Sequence, residues 1–286
     1  MEPWILAVLA AIVIGSIYSW LKQDNFSIIT SAVCAIVFVI VVVVESSSTI
    51  WALDEVAFMP EDLRHPTSYY TILTSMYAHA SLGHIVFNVL ALIFIGIFLE
   101  QSIGTRAFMV IYFVAGLAGT FVFAAVNWST PYVGAVGASG AISGILGAAA
   151  RLYPNQRFSL MGLIPMPLWT LTILFVFIQL LIALSSSNIS WEAHMGGLAA
   201  GLIIAPIIVR TPLHRRVKRM ISLSSLRKLA TTPELKAILR RIEDEEVPDV
   251  KSAWIEHFLS KAKCPHCGSA LKVSHEAVMC QKGHLL

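Results

Sequence analysis

Charge is what this chain has least of: Asp, Glu, Lys and Arg together make up 13% of its 286 residues. Soluble domains carry about a quarter, so an ordinary soluble fold is excluded. Cysteine is sparse as well. There are four, three of them after Lys263, while Cys34 stands alone in an apolar run as a small apolar residue. No soluble nucleophile elbow of the G-x-S-x-G type is present, because residue 141 is Ala and no strand precedes it. Inverted internal repeats and broken mid-span helices, which would point to a transporter, do not stand out. The first apolar run lacks a basic start and a small-residue cleavage site, and Glu2 precedes it, so it is expected to be a retained helix and not a signal peptide.

Apolar residues fill the space that charge leaves. They reach 57%, with a mean hydropathy of +0.75, which defines a polytopic, all-α membrane protein. Seven runs meet or approach the roughly 17–25 residues needed to cross a bilayer: 3–21, 28–44, 82–99, 107–126, 138–152, 168–184 and 191–209, the fifth being the shortest. Cytoplasmic loops retain Lys and Arg. Lys22, Arg106, Arg151, Arg157 and the basic stretch 210–219 follow the odd-numbered runs, whereas the 45–81 loop carries Asp54, Glu55, Glu61 and Asp62 against Arg64 alone. The expected topology is an outside N-terminus and a cytoplasmic tail, in the cell membrane, with 210–219 against anionic headgroups.

In this topology the third, fifth and seventh runs all cross from outside to inside, so His84, Ser139 and His194, each near the start of its run, share one depth. Ionisable groups inside spanning segments default to a functional reading. A serine hydroxyl becomes a nucleophile when a base takes its proton, and His194 suits that task. Oxyanion donors are expected from His84, from Asn88 one turn deeper on the same face, and from the Ser139 backbone N–H. Gly137 and Gly140 allow close approach of backbone to substrate. No Asp or Glu lies at the depth of His194 to orient its ring.

These residues resemble the rhomboid intramembrane serine proteases. Gly137-Ala138-Ser139-Gly140 fits the family's G-x-S-G, and Ala193-His194 with Gly197 and Gly201 fits its last-helix A-H-x-x-G-x-x-x-G. His79, His84 and Asn88 match an H-x-x-x-N preceded five residues earlier by histidine. The resemblance implies Ser139 as nucleophile, His194 as base, His84 and Asn88 at the oxyanion, no catalytic cofactor, and membrane proteins as substrates met in the bilayer. It implies a six-helix core, here with one helix added in front. Two positions depart: Tyr70-Thr71 stand where the family usually has Trp-Arg, and Ser143 where an aromatic usually stacks on the base.

Each residue also has a plainer reading. Gly137, Gly140, Gly144, Gly147, Gly197 and Gly201 suit small-xxx-small helix packing, and a lone Ser139, His194 or Asn88 would be an interhelical hydrogen-bonding group. Shared depth and three spaced motifs together favour chemistry. His79 is read as structural, and Glu100 as pairing with Arg106 or with backbone. The expected division is 1–26, an extra spanning helix; 27–210, the peptidase core; 211–261, a basic and helical linker; and 262–286, a metal module.

In the tail, Thr232 reads as an N-cap with Pro233 in the first turn of a helix to about Glu246, and Pro248-Asp249 starts a second through Lys261. Cys264-x-x-Cys267, a spacer, then Cys280-x-x-x-His284 is ligand spacing for a closed, structural Zn²⁺ site, with His275 or His266 as alternative fourth ligands. The module resembles a zinc ribbon, whose partner would be a cytoplasmic protein or nucleic acid. Its redox reading lacks the βαβ surroundings of a thioredoxin-like C-x-x-C. An intramembrane endopeptidase is the favoured function; a catalytically silent rhomboid-like binding module and a proton-relaying channel or transporter are the alternatives.

Overall fold

The computed structural model describes residues 2–49, 51–160, 164–185, 189–209, 223–245, 248–273, 278–280, 282 and 284. They form two compact units, Met1–Arg210 and Thr211–Leu286. The first holds helices α1 (Pro3–Lys22), α2 (Phe26–Ser47), α3 (Leu82–Ile103), α4 (Thr105–Val126), α5 (Ser139–Leu152), α6 (Leu168–Ala183) and α7 (Trp191–Ile208), with a hairpin of β1 (Arg157–Leu160) and β2 (Ile164–Pro167) before α6. Helices α1 to α4 and α7 are long and apolar enough to cross a membrane. Two of the seven expected runs fall short as single helices. Helix α6 fills its expected run to within one residue but is only 16 residues long, preceded directly by the extended Ile164–Pro167 strand. Helix α5 has 14 residues and rises about 21 Å against a hydrocarbon core of about 30 Å.

Helix α5 is short because Gly137, at φ +122°, breaks the chain direction just before it. It is also the most enclosed helix, with nearly every residue from Gly140 to Ala150 buried. Its composition explains how. A methyl group on Gly197 would come within 2.0 Å of the Gly140 carbonyl oxygen, and one on Gly201 within 1.9 Å of the Gly144 oxygen, so α5 and α7 meet backbone to backbone. Gly144 faces Ala115 of α4 just as closely. Small residues at helix–helix faces within a membrane give this close approach.

Helix α3 is interrupted by a π-turn at Leu92–Gly96 and ends near Glu100, which is 2% exposed. Glu100 accepts hydrogen bonds from the backbone N–H groups of Phe26 (2.6 Å) and Ser27 (2.8 Å) and from the Ser27 hydroxyl (2.7 Å). It thereby caps α2, whose own N-cap residue Asn25 makes no side-chain cap. Of the two expected partners, backbone is the one found; the Arg106 guanidinium instead lies 5.5 Å over the Trp20 ring. In the 51–81 loop, Tyr70 donates to the Glu55 carbonyl and Thr71 to the Asp62 carboxylate, and Phe58 pairs with Ala135 through both backbone bonds.

The second unit contains α8 (Leu223–Leu229), α9 (Pro233–Asp244), α10 (Pro248–Lys261) and a hairpin of β3 (Leu271–Val273) and β4 (Val278–Cys280). The Thr232 hydroxyl accepts from Leu235 N–H at 3.2 Å, the expected cap. Helix α8 was not anticipated from the sequence, since its seven residues are too few for the spacing of Leu223, Leu226 and Leu229 to stand out. Leu226, Leu229, Leu235, Ile238, Ile242 and Phe258 form an apolar cluster on which Leu271 of the hairpin also packs. The basic stretch 210–219 and His275 lie outside the described residues.

Candidate active site

Ser139 is the first residue of α5, where backbone N–H groups have no intrahelical partner and the helix dipole is positive. Its Oγ lies 2.7 Å from His194 Nε2, on the first turn of α7. The glycine-mediated contact of α5 with α7 begins three residues past His194, so the two side chains are set by the closest backbone approach in the unit. Ser143, one turn on, donates to the Ser139 carbonyl at 2.7 Å and therefore does not contact the imidazole as a ring wall.

His84 is placed by the Ser81 cap of α3, whose hydroxyl accepts from His84 N–H at 3.2 Å. Its ring lies against Gly137: a side chain there would meet His84 Nε2 at 2.7 Å and Ser139 Oγ at 3.5 Å, so glycine is required by space as well as by φ. A cavity of about 580 Å³ is lined by His84, Gly137, Ser139, Gly140 and His194, with Asp54 on its wall. Asn88 does not line it. Its Nδ2 donates to the His84 carbonyl at 2.8 Å, and its buried Oδ1 has no partner among the described residues. His79 packs edge-on against the His84 ring with centroids 5.0 Å apart, and its Nδ1–H donates to the Tyr77 carbonyl at 3.1 Å. Burial, helped by the neighbouring His84, pushes the His79 imidazolium down to about 4.

The family model described as the Rhomboid domain matches residues 66–211, half of the chain. The chain belongs to the rhomboid family. It is similar to Rhomboid protease GluP of Bacillus subtilis (strain 168), 33% identical over 165 residues that cover 57% of this chain and 30% of the relative. RHOMBOID-like protein 1 of Arabidopsis thaliana is 28% identical over 155 residues, covering 52% and 36%. Inactive RHOMBOID-like protein 8 of the same plant is 34% identical over 99 residues, covering 33% and 28%. The chain thus spans about a third of the length of these relatives. As a rhomboid it is a multi-pass membrane protein of a family that acts on membrane-protein substrates and needs no cofactor.

Two residues beside this rhomboid site were not anticipated, and both sit on α6. Gln179 Oε1 lies 2.9 Å from His194 Nδ1, and the Phe175 ring is 6.3 Å from the imidazole at 45°. They are one helical turn apart, on one face. The sequence did carry a signal: Gln179 is the single amide in a helix otherwise built of apolar residues and two threonines.

Outside the rhomboid match, Cys264, Cys267, Cys280 and His284 gather with all four ligand atoms within 4.8 Å of one another. Cys267 and Cys280 sulfurs are 3.5 Å apart, and His284 Nδ1 is 3.3 Å from Cys280 and 3.7 Å from Cys264. Bonds of 2.0–2.3 Å to a tetrahedral zinc give edges of roughly 3.3–3.8 Å, so the set fits that ion. The Ser269 hydroxyl and backbone hold the Cys267 thiol below its ordinary value, toward the thiolate. The His266 ring is 5.6 Å from that of His284 and outside the group.

Proposed function

We propose that the protein is an intramembrane serine endopeptidase that hydrolyses peptide bonds in or near transmembrane segments of other membrane proteins. The 2.7 Å contact between Ser139 Oγ and His194 Nε2 is the observation that carries this reading. His194 takes the Ser139 proton as the hydroxyl attacks the scissile carbonyl, then delivers it to the leaving amine; water enters the cavity to release the acyl-enzyme by the same route reversed. His84 and the Ser139 N–H stabilise the oxyanion, with the second N–H of Asn88 behind His84. Gly137 and Gly140 leave room for substrate backbone.

The test is cleavage of a model spanning substrate, together with fluorophosphonate labelling in detergent or bilayer. Wild type cleaves and is labelled, while Ser139→Ala and His194→Ala, though folded and inserted, do neither. A silent binding module is the second reading, favoured by the likeness to a relative named inactive; it requires that wild type remain unlabelled.

We also propose an extracytoplasmic N-terminus and a cytoplasmic tail, supported by the Lys and Arg pattern, with the boundaries 1–26, 27–210, 211–261 and 262–286. Cys264, Cys267, Cys280 and His284 would hold one structural Zn²⁺, and the tail would engage a cytoplasmic protein or nucleic acid.

A further inference from the structure

We infer that Gln179 is a positioning residue that, from α6, fixes the tautomer of His194, the base of the Ser139–His194 dyad. The inference rests on the Ser139–His194 reading above.

Among the residues of α6, Leu168 and Gln179 are the buried ones; the rest of the helix is partly or fully open to its surroundings. The one amide in the row is therefore turned inward, at 4% exposure, where it would be costly if unbonded. Its Oε1 meets His194 Nδ1 at 2.9 Å. A carboxamide oxygen can only accept, and a neutral imidazole carries one proton. With the carboxamide oxygen toward the ring, that proton is held on Nδ1, which leaves the Nε2 lone pair aimed at the Ser139 hydroxyl 2.7 Å away. The opposite tautomer would present an N–H to Ser139 and could not act as base. When His194 takes the serine proton, the same oxygen still accepts from Nδ1–H of the imidazolium. Phe175, one turn earlier, walls the ring. A neutral amide does this without placing a second buried charge among apolar side chains, whose desolvation an ion pair must offset.

The experiment compares wild type with Gln179→Leu, which keeps approximate size and removes the acceptor, and Gln179→Glu, which keeps an acceptor at the same reach. In the full chain, kcat on a model spanning substrate is expected to fall about 10–10²-fold in Gln179→Leu with KM within about twofold, and to recover to within a few-fold of wild type in Gln179→Glu. Side-chain ¹⁵N spectra, with the His194 resonances assigned by their loss in His194→Ala, are expected to report Nδ1–H in wild type and a tautomer mixture in Gln179→Leu. Unchanged kcat together with a persistent Nδ1–H signal in Gln179→Leu overturns the inference, as does an Nε2–H signal in wild type. The spectra decide the Gln179 assignment even without turnover, whereas fluorophosphonate labelling of Ser139 decides the dyad, so the two can fail separately.

Discussion

His84 and Asn88 were expected to do one job, yet they stand differently. His84 lines the cavity beside Ser139, while Asn88 is buried behind it and bonded to the His84 carbonyl. Removing one neutral oxyanion donor slows an acyl transfer by up to ~10²–10³-fold. Asn88→Ala is therefore expected to reduce kcat by ~10-fold or more while still reacting with a fluorophosphonate; wild-type turnover across several substrates would make Asn88 a packing residue. His79 gives a pH prediction. Unfolded, it takes up a proton near pH 6.5; folded, it resists until about 4. The unfolded state then binds more protons between these values, so stability is complete above pH 6.5 and declines as pH falls toward 4, by on the order of 3 kcal/mol. Melting temperatures in detergent across this window should drop less steeply in His79→Gln; an identical slope would assign the acid sensitivity elsewhere. At this scale the proposed reacting groups, Ser139 and His194, were legible because their spacing and depth are periodic properties, and the fold brings them within 2.7 Å. The sequence hid Gln179, because an amide 15 residues away on another helix is joined to His194 by folding alone.

Helix lengths and faces were legible from runs of apolar residues, and α1 to α4 and α7 follow them. What composition could not reveal is that α5, buried on all sides by α4 and α7, needs no spanning length of its own. The close approaches at Gly140 and Gly144 fit the plainer, packing reading of its glycines. The same approaches tie packing to chemistry. A side chain at position 201 meets the Gly144 oxygen, so Gly201→Val must drive α7 from α5 and carry His194 with it. Overpacking costs about 1–3 kcal/mol, and a displacement near 1 Å can cost ~10²-fold in rate. Gly201→Val is expected to insert and yet lose at least that much activity; near-normal cleavage would show that the α5–α7 contact does not set the dyad.

For the whole molecule, the catalytic and metal-ligand sets belong to different units: Ser139, His194 and their neighbours lie within Met1–Arg210, and the four ligands within Thr211–Leu286. Chelation is therefore expected to release about one Zn²⁺ per chain and unfold the ribbon while cleavage of a model substrate continues; Cys267→Ser should behave alike. Chelator-sensitive cleavage, or a reduced preparation without zinc, would sink this separation. Ligand spacing pointed to Cys264, Cys267, Cys280 and His284, with His275 or His266 as alternative fourth ligands, and among the described residues His284 is the imidazole gathered with the three sulfurs. The cap on α2 bears finally on synthesis. Phe26 and Ser27 leave the ribosome more than 70 residues before Glu100, an interval on the order of 4–15 s at usual translation rates. Throughout it the amides at the start of α2 lack that carboxylate and fall to water or lipid headgroups. A chain cut in the 51–81 loop would carry, in Glu100, the group that lets its two pieces recognise each other.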